Sequence, residues 1–196
     1  MTFSRRNMLQ AGAGLALAAP TLAAPAIIGL SEKANAQAVM ADALSAMESD
    51  PRLTLWVQLI GAGGLEANAR ASTPYTTFPA SDAAFAKYPA ITKDLLGYQN
   101  QTGTTNGASP YPDTSKIVKL VRSHVVAGKH FPSEMMGNKV TVTSVAGTPI
   151  TFDGTTHPVT ISWISQDNGA AMTATLVDQP IIASNAVIYV LSDIDV

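Results

Sequence analysis

Cysteine is absent from the 196 residues. That excludes disulfide bonds, thiolate nucleophiles, iron–sulfur clusters, the common structural zinc sites and lipidation at a leader cysteine, so stability must come from packing alone. Charge is scarce as well, at 13% of residues, with no cluster of Lys and Arg interleaved with aromatics. A surface that tracks phosphates needs such a stripe to release counterions, so nucleic acid is not an expected partner. No serine sits in a Gly-x-Ser-x-Gly elbow, and Gly61, Gly63 and Gly64 do not form the Gly-x-Gly-x-x-Gly phosphate cradle. Neither an activated nucleophile nor a paired acid and base stands out, which argues against an enzyme.

What is present is apolar: 46% hydrophobic residues, with 14 Gly and 12 Pro, a composition that folds and buries a core and lies far from that of disordered chains. The length suits one domain. From Gln37 onward nine basic and thirteen acidic residues remain, a weak balance of −4.

The first 36 residues read as an address. Ser4-Arg5-Arg6-Asn7-Met8-Leu9-Gln10 precedes an uncharged stretch from Ala11 to Leu30, and Ala34-Asn35-Ala36 closes it with a small-x-small site. This order resembles a twin-arginine (Tat) signal peptide, with Arg5 and Arg6 as the signal and cleavage expected after Ala36. The alternative is a permanent anchor, since twenty uncharged residues just reach across a bilayer. Eight of those twenty are alanine, and Gly12, Gly14, Pro20, Pro25 and Gly29 interrupt them, so the gain on insertion is modest and the cleaved leader is the better reading. A periplasmic or secreted domain follows from it, touching the membrane only in transit.

Residues 37–51 read as a frayed lead-in, with a short helix over 38–47. Leu53, Trp56, Val57 and Ile60 then fall on one helical face, which the Gly61–Gly64 run stops. Ser81 or Asp82 caps a short helix over 83–88 that Pro89 ends, and a further helix covers 91–98. Residues 99–115 form a polar stretch without periodicity, read as an exposed loop between helices. Ile117, Leu120, Val121 and His124 share the face of the next helix. After Gly137 the period changes to two: Val140 and Val142; Val159, Ile161 and Trp163; Met172, Ala174 and Leu176; Val187, Tyr189 and Leu191, with Asp153-Gly154 and Asn168-Gly169 as turns. Helices first and antiparallel strands after make an α+β fold. Trp56, Phe78, Phe85, Trp163 and Tyr189 belong to its core, though some of them could line a hydrophobic groove.

Three blocks in this order resemble the fasciclin (FAS1) domain. The first runs from Leu53 to Leu65 and on through Thr76-Thr77-Phe78-Pro79-Ala80-Ser81-Asp82-Ala83-Ala84-Phe85, with Pro79 and Ala80 in the reverse of the family's order. The second is Ile117–Gly128, with Ser123-His124 where the family commonly has Tyr-His. The third is Ile181–Val190, with Ala186 where Gly and Tyr189 where His is usual. The resemblance spans 52–196 and implies a wedge of mostly antiparallel sheets with helices packed at one side, used for adhesion and seldom for catalysis. The receptor-binding Asp-Ile pair of animal relatives falls at Pro180-Ile181, so integrin-type recognition is not carried over.

The candidate site residue is His124. On an apolar face its imidazole needs a hydrogen-bonding partner, and that structural role outweighs a contact role with a ligand. A metal set of His124, His130 and Glu134 lacks the i, i+4 helical spacing of zinc hydrolases, so neither a metal nor any other cofactor is expected. Asp82 at a helix start is expected to cap it, not to act as a base. Function is therefore expected to be non-enzymatic binding of an extracellular polysaccharide or surface protein, or, alternatively, carriage of a small hydrophobic ligand such as a carotenoid or lipid, which would need an apolar cleft.

Overall fold

A computed structural model describes residues 41–97, 111–165 and 169–194. Arg5, Arg6 and the cleavage site after Ala36 lie outside these residues, as do the start of the lead-in helix, Tyr98, most of the polar loop (99–110) and Asn168 of the second turn.

The helical layer begins with α1 (Ala43–Glu48), whose Asp42 accepts a hydrogen bond from the Ser45 N–H at 2.9 Å. Ala43, Leu44 and Met47 are buried, so this part of the lead-in is docked core and not a frayed end. Helix α2 (Thr54–Ala62) buries Trp56, Leu59 and Ile60. It continues through Gly61 to Ala62, with Gly63 as its cap, and Gly64 beyond adopts φ +65° while Leu65 N–H reaches Ile60 O and Gly64 N–H reaches Gly61 O. That paired closure needs a left-handed residue, which the last glycine of the run supplies. Helix α3 (Glu66–Arg70) follows, then α4 (Asp82–Ala86), capped by Ser81, and α5 (Pro89–Leu96), which Pro89 begins as its first residue. Helix α6 (Thr114–Ser123) buries Ile117, Leu120 and Val121, and a short α7 covers Pro132–Met135.

Among the described residues the strands form two four-stranded sheets. The first orders β2 (Val125–Ala127), β1 (Tyr75–Thr77), β8 (Ala186–Ile188) and β7 (Ile181–Ile182), with β1 and β8 parallel and the other pairs antiparallel. The second is an antiparallel meander of β3 (Lys139–Thr143), β4 (Pro149–Asp153), β5 (Thr160–Ile164) and β6 (Ala171–Thr175). The α+β fold with helices packed against antiparallel-rich sheets is thus as expected. The first sheet departs from helices first and strands after, because β1 comes from the first half of the chain and pairs with the last strand.

That sheet lies between the helices on one side and the meander on the other. Ala186 and Ile188 face a core with Trp56, Leu59, Phe85 and Ile117, while Val187 and Tyr189 face a second core with Phe152, Ile161 and Trp163. A strand covered on both faces carries a continuous apolar run. Tyr189 stacks on Phe78 at 5.7 Å and donates its hydroxyl to His130 O at 2.9 Å, so its polar end is satisfied within the second core.

Candidate functional site

Two places concentrate what this fold can offer a ligand: the histidine at the end of α6 and a cleft beside it. His124 is the residue at which α6 passes into β2, and its carbonyl accepts the N–H of Phe78, the residue just past β1. The ring is 4% exposed, with its centroid 5.2 Å from that of Trp56 and 5.8 Å from that of Trp163, each contact edge-on. Because Trp56 belongs to the helical core and Trp163 to the inter-sheet core, the imidazole joins the two.

Its Nδ1 lies 2.9 Å from Leu120 O and 3.0 Å from Ser123 Oγ, which itself donates to Leu120 O at 2.7 Å. A carbonyl only accepts, so Nδ1 carries the proton and donates. The sequence aligned Ser123 with the family's tyrosine; here the serine closes the last turn of α6 and supports the imidazole.

The other nominated residues are dispersed. His130 Nδ1 sits 3.6 Å from Glu134 Oε2, and its main chain is occupied by Thr76 and Tyr189. Among the described residues no three His, Asp or Glu side chains come close enough to hold a metal, so His124, His130 and Glu134 are not brought together as a ligand set. Asp82 does cap a helix, although not its own: Oδ1 accepts the Leu55 N–H at the start of α2 at 2.9 Å, while Ser81 caps α4. Pro180 precedes β7, in which Ile181 pairs with Ile188.

Sequence reasoning missed Asn185. From the turn between β7 and β8 its Oδ1 accepts the Ala43 N–H at 2.8 Å and its Nδ2 donates to Ala69 O and Ala71 O at 3.0 and 2.6 Å. One amide therefore pins α1, the end of α3 and the first sheet together, and so fixes one wall of the cleft.

The cleft, with a volume of about 350 Å³, opens between α1–α3, the β1–β2 pair and the end of α6. Met47, Trp56, Ile60 and Val121 form its buried floor, and Leu65, Tyr75 and Val125 its half-buried sides. Val145, 53% exposed, stands at the rim. Tyr75 and Thr77 alternate with Thr76 along β1, so both point into the cleft while the Thr76 hydroxyl donates to Gly128 O on the other side. The Tyr75 hydroxyl donates to Ala69 O at 3.0 Å, and burial, reinforced by the Asp42 carboxylate, raises its pKa far above the usual phenol value. It stays neutral. Apolar walls with few polar groups, at the small end of ligand-site volumes, suit one small apolar molecule.

The outer face of the meander is the opposite in character. Thr141, Thr151, Ser162 and Thr173 stand opposite one another on four successive strands, and Thr141 Oγ1 lies 3.0 Å from Thr151 Oγ1. A row of hydroxyls crosses a solvent-facing sheet there.

A family model for the Fasciclin domain matches residues 51–194. An uncharacterized protein, sll1735, of Synechocystis sp. is 28% identical over 146 residues, covering 74% of this chain and 90% of that protein. Among solved structures, that of a FAS1 domain pair from the insect cell adhesion molecule Fasciclin I aligns with a TM-score of 0.45 at 12% identity, over 78% of this chain. The chain spans about 45% of the length of that domain pair.

Proposed function

Since the chain belongs to the fasciclin family, whose domains are generally non-enzymatic adhesion or interaction modules, we propose that it is an exported binding module that holds an extracellular polysaccharide or surface protein. The observation that carries this reading is how the chemistry-bearing side chains are used. His124 Nδ1, the Ser123 hydroxyl and Asp82 Oδ1 are each spent on holding a helix end, which suits a scaffold that presents a surface. The hydroxyl row of Thr141, Thr151, Ser162 and Thr173 is a surface on which sugar hydroxyls find both donors and acceptors.

Export rests on the paired arginines and the small-x-small site at the head of the chain. Fasciclin domains are typically extracellular or secreted, in keeping with a periplasmic or secreted location. Arg5→Lys with Arg6→Lys should leave precursor in the cytoplasm, and a processed form beginning near Gln37 at normal periplasmic yield would refute the assignment. The processed protein should bind in a glycan and surface-protein array; silence across both overturns the adhesion reading.

The cleft favours a second reading, in which the domain carries a small hydrophobic molecule. Protein isolated from its own host should then show an added mass in native mass spectrometry or a visible absorption band, and a bare chain sinks this reading.

A further inference from the structure

Among the described residues, the cleft has one charged group in its lining. Arg122, in the last turn of α6, is exposed at the mouth, and no described aspartate or glutamate contributes to the walls. The other described arginines are both committed: Arg52 pairs with Asp50 and Asp178, and Arg70 with Asp42 and Glu48. Arg122 has no carboxylate partner among the described residues. A cation in the last turn suits the helix dipole, which accounts for its sign there but not for its place on the rim of an apolar cleft.

On the floor the Thr77 side chain, 2% exposed, makes no hydrogen bond among the described residues, whereas its neighbour Thr76 both accepts and donates. A hydroxyl left over in an apolar cavity is a polar anchor for a group on the ligand's inner end. Resting on the carrier reading, we propose that the cleft binds an amphiphile with one carboxylate, its apolar body on Trp56, Ile60 and Val121 and its head paired with Arg122. The guanidinium fork matches a carboxylate in two parallel hydrogen bonds. One arginine balances one negative charge, so a monocarboxylate fits better than a phosphate monoester, which carries nearly two.

The test is a titration of the purified full chain with decanoate, decanol and decylammonium, three probes with one tail and different heads, read by calorimetry and by tryptophan fluorescence. Decanoate is expected to bind about fivefold more tightly than decanol at low salt, as an exposed charge pair allows, and decylammonium more weakly than either. The preference should shrink as salt is added while decanol binding does not, and Arg122→Gln should abolish it without changing the affinity for decanol. If decanoate and decanol bind equally, or if Arg122→Gln leaves the preference intact, the assignment of Arg122 fails although the carrier reading stands. If no probe binds, both fail.

Discussion

Replacing His124 with alanine removes a ring packed edge-on between Trp56 and Trp163 and leaves a void where the two cores meet. Truncating a buried aromatic side chain costs about 3–5 kcal/mol. Imidazole is smaller, and Leu120 O keeps the Ser123 hydroxyl as a donor, so no buried carbonyl is stranded. We therefore expect a loss of about 2–4 kcal/mol. For a domain of this size each kcal/mol lowers Tm by about 2–4 °C, which puts the shift near 10 °C. His124→Phe refills the space without the N–H donor and is expected to cost about 1 kcal/mol. Urea denaturation followed by tryptophan fluorescence should show the midpoint falling with the slope unchanged for both variants. Both indoles touch the ring, so the emission of His124→Ala should also change in the native state. A loss below about 1 kcal/mol for His124→Ala would mean that the imidazole does not join the cores. If the melting temperature held while partner binding vanished, His124 would be a contact residue.

Three further outcomes follow from other contacts. Asp82→Ala strips the Leu55 N–H of its acceptor and should cost about 1 kcal/mol in chemical denaturation, as loss of a cap does, whereas no change would mean that water caps α2 equally well. Hydrogen bonds from the Arg52 side chain, opposed by burial, hold the Asp50 carboxyl below its ordinary pKa. A depressed folded-state value makes the pair's contribution complete above about pH 4, and it is lost as pH falls through that lower value. Asp50→Asn should lower Tm at neutral pH and flatten its decline on acidification, and an unaltered acid limb would show that the pair contributes nothing. At Gly154 an added Cβ would sit 2.2 Å from Met135 O, a main-chain atom that cannot swing aside, so Gly154→Ala should fold poorly or melt far below wild type; a normal melting curve would show that the α7 segment shifts freely.

The elements legible in the sequence are those long enough to show a period. Helix α6 buries Ile117, Leu120 and Val121, as the i, i+3, i+4 spacing requires, and the alternation in β3, β5 and β6 puts Val142, Ile161 and Ala174 toward the inter-sheet core. Strands β1, β2 and β7 have only two or three residues, too few for alternation to register, and β8 is covered on both faces, which erases it. The partners of Asp82 and Asn185 lie 27 and 142 residues away, so no local window could show that the first caps α2 or that the second pins α1. Pro89 reads as a terminator because proline ends helices from within, yet it opens α5, where its missing N–H costs nothing.

The cleft was hidden for a different reason. Helical spacing states which side of α2 and α6 faces inward, and Trp56, Ile60 and Val121 do face inward. It does not state whether atoms fill the space they face. Across the cleft Ala69, Ala71 and Ala127 offer only methyl groups to the wall, and Asn185 holds the Ala69–Ala71 segment in place through its main-chain carbonyls. Small side chains fixed by a distant amide thus leave room beside a tryptophan that in other respects is ordinary core. The sequence shows the alanines, but only the fold shows what they face, and Arg122 gains a functional reading from the same juxtaposition, because its charge stands where apolar walls end and solvent begins.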